Sequence, residues 1–160
     1  MIVAATTLDR GLLLALNNRH ATELSPLDAS AFDRLLAAAV RATAVAPADA
    51  MLIAFGPEAD YDSPNFAWWR ARRDRFVYVD RLVVADRARG RGLARALYAD
   101  LFACSAARAA GAIVCEVNSD PPNLASDAFH AAHGFTVAGE ARLADRAKSV
   151  RYLIRELPGT

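Results

Sequence analysis

The segment from Tyr78 to Tyr98 constrains this chain more than any other. It opens as a β-branched strand, Tyr78-Val79-Asp80-Arg81-Leu82-Val83-Val84, and closes it at Ala85. A turn holding Arg87, Arg89, Gly90, Arg91 and Gly92 follows, and a helix then starts at Gly92 with Leu93, Leu97, Leu101 and Phe102 on one face. The first N–H groups of a helix have no intrahelical partner and lie at the positive end of its macrodipole. Glycine at 90 and 92 lets an anion approach them closely, and the arginines add charge around it. Strand, glycine turn and helix together make a cradle for phosphate.

Spacing sorts the phosphate motifs. A nucleotide-triphosphatase loop needs Gly, four residues, then Gly-Lys-Ser/Thr, and the only lysine is Lys148. A dinucleotide fingerprint counted from Gly90 and Gly92 puts Arg95 where helix–strand packing wants a small residue. Arg89-Gly90-Arg91-Gly92-Leu93-Ala94 fits Arg/Gln-x-x-Gly-x-Gly/Ala. Arg87-x-x-Gly90-x-Gly92 fits the same pattern two residues earlier, but the later register ends inside the helix. In this the chain resembles the acyl-coenzyme A (CoA) loop of the GNAT N-acetyltransferase superfamily.

A second motif lies after the next strand. Asn123-Leu124-Ala125-Ser126-Asp127-Ala128-Phe129-His130, with Gly134-Phe135 beyond, is similar to the family's Asn-x-x-Ala-x-x-Leu-Tyr-x-x-x-Gly-Phe. The resemblance covers roughly residues 76–157; residues 1–74 match only in element order. It implies an α/β (α+β) fold with a mixed, mostly antiparallel central sheet, splayed at the cofactor site and flanked by helices. One acetyltransferase domain over 1–160 follows, with 1–74 on the acceptor side and 75–157 binding acetyl-CoA.

The implied activity is transfer of acetyl from acetyl-CoA to a primary amine, by direct attack through a tetrahedral intermediate. Backbone groups of Leu82, Val83 and Val84 would pair with the pantetheine arm and thioester, one N–H meeting the oxyanion at a gain of about 3 kcal/mol. Gly90, Gly92, Leu93 and Ala94, with Arg87, Arg89 and Arg91, would hold the pyrophosphate. Asn123 would hydrogen-bond the pantetheine, with Ser126 beside it. His130 stands where most of the family has a tyrosine that protonates the leaving thiolate; Asp127, one turn earlier, would favour its charged form. Glu116 stands where relatives that acetylate protein N-terminal amines carry a glutamate proposed as general base, since an amine must be neutral to attack. Asn18, Glu23, Asp60 and Asn65 are weaker acceptor-site candidates. The acceptor would be a small-molecule amine or a peptide N-terminus, and a homodimer is compatible with the reading. From another class, the alternative is a non-catalytic CoA-binding sensor.

Composition narrows the setting. A net charge of +1 on 160 residues removes the electrostatic case for nucleic acid, although Arg70, Arg72, Arg73 and Arg75 form a local basic run. That run reads as a solvated or ligand-facing edge. Two cysteines, Cys104 and Cys115, are too few for a disulfide framework and point to a reducing cytoplasm. His20, His130 and His133 show no metal-ligand pattern, and no apolar run is long enough to span a membrane.

Elsewhere the pattern predicts a strand over 2–6, a helix capped by Asp9 to about residue 20, a helix over 29–44 and a strand over 50–55. Residues 57–74, holding Trp68 and Trp69, read as a long loop, either an aromatic lid or a substrate-recognition segment. The central strand runs 75–85, and the helix from Gly92 continues to about residue 110, where Gly111 stops it. A parallel strand over 112–118 puts Ile113, Cys115 and Val117 on one face and Val114, Glu116 and Asn118 on the other. A helix over 124–133 and a hairpin of 135–143 and 149–157, turning at 144–148, complete the chain.

Overall fold

The structure is a computed structural model that describes residues 1–22, 24–144 and 147–158. Its strands are β1 (Ile2–Ala4), β2 (Arg41–Val45), β3 (Ala50–Phe55), β4 (Val77–Val84), β5 (Ala112–Asp120), β6 (Thr136–Leu143) and β7 (Lys148–Glu156). The helices are α1 (Arg10–Arg19), α2 (Ala29–Ala38), α3 (Pro64–Arg70), α4 (Leu93–Ala103), α5 (Ser105–Ala110) and α6 (Leu124–Ala132). Among the described residues the strands form one sheet in the order β1-β2-β3-β4-β5-β7-β6. Every neighbouring pair is antiparallel except β4 and β5, which run parallel and are joined through α4 and α5.

That parallel pair opens almost at once. Its ladder holds Val77 opposite Ile113 and Tyr78 opposite Val114, whereas β4 stays paired with β3 as far as Val84 and β5 with β7 as far as Asp120. Each strand therefore leaves with its outer neighbour, and a V opens between them. A bulge helps: Arg81 faces Ile53 and Val79 faces Ala54, so Asp80 is an extra residue on β4. Such insertions bend and twist a strand and commonly sit beside functional sites.

Both faces of the sheet are covered, which explains the wholly buried Ala-Met-Leu-Ile-Ala-Phe of β3. On one face, Leu13, Leu16, Phe32, Leu35, Phe66 and Trp69 pack on Met51, Ile53, Phe55, Tyr78, Val114 and Tyr152. On the other, Leu97, Tyr98, Leu101 and Ala107 pack on Leu52, Ala54, Val77, Ile113, Cys115 and Val117. The alternation read for 112–118 thus sends Cys115 and Val114 to opposite cores.

Five elements differ from the sequence pattern. The strand expected over 2–6 ends at Ala4, because Ala5–Thr7 wind into a 3-10 turn closed by Leu8 N–H on the Ala5 carbonyl (3.2 Å). The helix expected over 29–44 ends at Ala38, and the rest forms β2, because Val40 N–H donates to the Ala54 carbonyl (2.9 Å) and the chain then pairs with β3. The 57–74 stretch contains α3, with Ser63 accepting from Phe66 N–H and Pro64 in the first turn. The long helix after Gly92 breaks at Cys104, whose backbone is extended (ψ 151°), into α4 and α5. Lys148 begins β7 rather than closing the turn, whose Asp145 and Arg146 lie outside the described residues. The basic run is tied down: Arg72 donates to the Trp68 carbonyl, Arg73 to Glu156 and Arg75 to the Ala109 carbonyl.

Candidate active site

A cleft of about 870 Å³ occupies the V, a volume within the usual range for cofactor and small-ligand sites. The end of β4, the middle of β5 and the first turns of α4 and α6 wall one half; Tyr61, Asn65, Asp80 and Arg81 line the other.

At the mouth, Gly90 and Gly92 take left-handed conformations, φ +76° and +72°, and Gly92 caps α4. A Cβ built on either would stand in open space with no heavy atom within 4 Å. The loop is thus an open backbone turn that side chains would strain, and its exposed N–H groups fit a pyrophosphate. The three arginines divide their work. Arg89 lines the cleft and pairs with Asp86 at 2.9 Å. Arg87 and Arg91 instead converge on Asp49 in the β2–β3 turn, at 2.9 and 2.7 Å. Their guanidiniums, Arg91 first, hold the Asp49 carboxyl below its ordinary range, and Ala85 N–H donates to the Asp49 carbonyl (2.8 Å). This acidic anchor was not legible in the sequence.

Along the cleft, Leu82, Val83 and Val84 lie on the part of β4 that has separated from β5, and Asn123 and Ser126 face them from the start of α6. Asn123 Oδ1 caps α6 by accepting from Ser126 N–H (3.2 Å). His130, 6% exposed, has both ring nitrogens engaged. Nδ1–H donates to the Ser126 carbonyl at 2.7 Å, which fixes the tautomer, so Nε2 accepts from the Tyr98 hydroxyl at 2.9 Å. Asp127 does not bring His130 to its charged form: it is engaged with Arg151 (3.1 Å), and burial outweighs it and holds the imidazole pKa below its ordinary value. Burial likewise pushes the Tyr98 hydroxyl and the adjoining Cys115 thiol well up. His133 Nδ1–H donates to the Phe129 carbonyl (2.7 Å), closing the helix C-terminus.

Beyond the splay lies Glu116. Its Oε1 accepts from Asn65 Nδ2 and from the Tyr78 hydroxyl, each at 3.0 Å, and Asn65 Oδ1 accepts from Tyr152 at 3.0 Å. Of the weaker acceptor-site candidates, Asn65 therefore joins the site. Asn18 does not: it clamps the Leu27 backbone through both amide atoms (2.9 and 3.0 Å). Asp60 is exposed and outside the lining, and Glu23 lies outside the described residues. Tyr61 donates to Asp80 (2.6 Å), and the buried Arg81 donates to Asn17 (2.7 Å) and the Ser25 carbonyl (3.0 Å), fixing the segment after α1 to the bulged strand. Lys148 reaches the Thr22 carbonyl at 2.9 Å. Tyr61, Tyr78, Tyr98 and Tyr152 are among the site residues that the sequence did not single out; Tyr78, Tyr98 and Tyr152 have apolar neighbours, where a tyrosine looks like core, and Tyr61 lies between Asp60 and Asp62 in what reads as a loop.

Among the described residues no helix is long and apolar enough to cross a membrane.

A sheet that, among the described residues, splays at its parallel strand pair, with a glycine turn opening the helix that follows the first of them, defines an α/β class with a cleft at the splay. Residues 28–135 match the family model described as Acetyltransferase (GNAT) family, and the chain belongs to that family. No curated protein sequence matches it. Among solved structures, the chain is similar to the ribosomal-protein-S18-alanine N-acetyltransferase of Escherichia coli, at 18% identity and TM-score 0.71, over 100% of this chain and 95% of that one. It is also similar to the NatB acetyltransferase complex bound to CoA and MES (15%, TM-score 0.73, 99% of both chains). A third similar structure is Arabidopsis thaliana NAA60 in complex with acetyl-CoA (13%, TM-score 0.67, 98% and 99%).

Proposed function

We propose that this GNAT acetyltransferase moves the acetyl group of acetyl-CoA onto a primary amine, a small molecule or a peptide N-terminus. One observation carries the reading: a single cleft holds a phosphate cradle at its mouth, an unladdered stretch of β4 in its middle and the Glu116 carboxylate beyond. The similar structures that hold CoA or acetyl-CoA, and the one named as an N-acetyltransferase, support it. The sheet running from β1 to β7 supports reading 1–160 as one domain, with 1–74 facing the acceptor and 75–157 the cofactor. The free thiols of Cys104 and Cys115 suit a reducing cytoplasm.

Acetyl-CoA supplies an activated acyl group and a thiolate leaving group. The residues of the chain do the rest. N–H groups at Gly90–Ala94, with Arg89, hold the pyrophosphate, while Arg87 and Arg91 fasten the loop to Asp49. Backbone groups of Leu82, Val83 and Val84 align the pantetheine arm, and one N–H meets the negative charge that develops on the thioester oxygen. Asn123, its carbonyl committed to the α6 cap, offers its NH₂, and Ser126 stands beside it. Glu116 takes the proton of the acceptor ammonium, and the neutral amine attacks the thioester carbon directly; the tetrahedral intermediate breaks its C–S bond to release the thiolate, and the surplus proton on nitrogen passes to water as the amide forms. His130 serves the thiol side through Tyr98: the imidazole proton is committed to Ser126, and the Tyr98 hydroxyl, which donates to Nε2 at rest, exchanges that bond for one to sulfur. A hydrogen bond there steadies the thiolate, which is protonated on reaching water.

The test is release of free CoA across a panel of amines and peptides. Release that depends on the amine and falls in Glu116→Gln supports transfer. Tight CoA binding with no turnover on any acceptor would favour a sensor module instead.

A further inference from the structure

Asn65 reaches the site from α3, inside the aromatic stretch, and is 6% exposed. A buried amide is tolerated when both of its ends are paired, and this one has a partner at each. Tyr152 donates to Oδ1, which orients the amide, and Nδ2 then donates to Glu116 Oε1. The Tyr152 ring is itself held flat against Trp68, centroids 3.9 Å apart and planes 15° from parallel. Trp68 fits because residue 139 on β6 is glycine: a Cβ there would lie 2.6 Å from the indole ring. A chain of fixed contacts therefore runs from Gly139 through Trp68, Tyr152 and Asn65 to the carboxylate.

We infer that Asn65 is the positioning residue of the site, holding the Glu116 carboxylate in one orientation and in its ionised form, and that residues 57–74 form the support of the base rather than a lid. The inference rests on the reading of Glu116 as the general base. Two donors on one oxygen, Asn65 Nδ2 and the Tyr78 hydroxyl, fix the carboxylate plane and favour its charged state. The titratable and charged groups around it include Tyr78 on β4, Tyr152 on β7, Tyr98 on α4, Cys115 on β5 and Tyr61 ahead of α3, with Asp80 acting on Tyr61 and Tyr78, Arg81 on Tyr61 and Arg72 on Tyr152. Burial and the Glu116 charge raise Tyr152 to about 12, so it keeps its proton and its donor role throughout the working range of pH. Tyr61, Tyr78, Tyr98 and Cys115 are raised as well and stay neutral beside it. Of the two strong donors to Glu116, Asn65 is the one that cannot titrate.

The experiment follows the Glu116 carboxyl through its titration by carbon-13 NMR in wild type, Asn65→Ala, Tyr152→Phe and the double variant, with Glu116→Gln to assign the signal. The expected midpoint in Asn65→Ala lies about one pH unit above wild type, with a smaller rise in Tyr152→Phe. The double variant should match Asn65→Ala, because Tyr152 acts through the amide. On an accepted amine, the acid limb of kcat/KM moves by the same amount, and kcat falls about tenfold while acceptor KM stays within twofold. An unchanged midpoint in folded Asn65→Ala and Tyr152→Phe would overturn the inference. Wild type that turns over no amine would sink the proposed transfer, while the titration would still decide the role of Asn65.

Discussion

The Tyr98 hydroxyl donates to Nε2 of His130 across 2.9 Å, joining α4 to α6 directly beneath the cleft. Because the other ring nitrogen donates to Ser126, the hydrogen between the two side chains belongs to the tyrosine, and it can turn elsewhere only by giving up Nε2. Where most of the family has a tyrosine, His130 is met by a tyrosine hydroxyl from another helix.

Tyr98→Phe therefore lowers kcat by about tenfold and leaves the dissociation constant of CoA within twofold. His130→Gln, which keeps that hydroxyl, costs less. Steady-state kinetics beside a CoA-binding isotherm check this; a Tyr98→Phe enzyme with wild-type kcat would leave the hydroxyl a packing role alone.

His130 also makes stability depend on pH. Burial sets its folded pKa below the ordinary value, with His133 adding to the effect and the Ser126 carbonyl opposing it. The unfolded chain takes up a proton near pH ~6.5, the folded chain only lower. Stability is therefore full above that value and is lost as pH falls from it towards the folded pKa. Urea unfolding at pH 7.5 and 5.5 should show a larger loss for wild type than for His130→Gln. Equal losses would contradict the burial argument.

How much of this the sequence carried depended on whether a signal was local. The cradle was legible because a left-handed turn demands glycine, and Gly90 and Gly92 stand at the required spacing before an apolar helix. β2 was not: Ala37, Ala38, Ala39, Ala42 and Ala44 suit helix or strand, and only pairing with β3 decides. α3 carried its marks, Ser63 and Pro64, but at seven residues it was too short to stand out from a loop. Glu116 was singled out by the family resemblance, whereas Asn65, Tyr78 and Tyr152 reach it from other elements, and no spacing in one chain reports such a meeting. Asp49, holding Arg87 and Arg91 from about forty residues away, is the same case.

The arginines should separate in salt-dependent binding. Arg89→Ala raises the CoA dissociation constant about tenfold, while Arg91→Ala, which frees Asp49 rather than a ligand contact, raises it less. Gly92→Ala forces a side chain into φ +72° and into the cradle, and should weaken CoA binding more than either. Calorimetric titration ranks the three; equal losses for Arg89→Ala and Arg91→Ala would contradict the division of roles.

Gly139→Ala tests the packing behind the base. The new methyl meets Trp68 at 2.6 Å, so the indole must shift, at a cost of about 1–3 kcal/mol typical of overpacking. Thermal unfolding should show the loss, and kcat should fall with it because Tyr152 and Asn65 lie behind that ring. A variant with wild-type stability would mean that Trp68 has room to move.

The central claim is tested most directly by amine-dependent release of CoA from acetyl-CoA in wild type and Glu116→Gln, with pH varied for each. The account predicts release that requires the amine, a kcat at least tenfold lower in Glu116→Gln at neutral pH, and recovery as rising pH deprotonates the amine without help. Release that needs no amine, or a Glu116→Gln enzyme with the wild-type rate and pH profile, would contradict it.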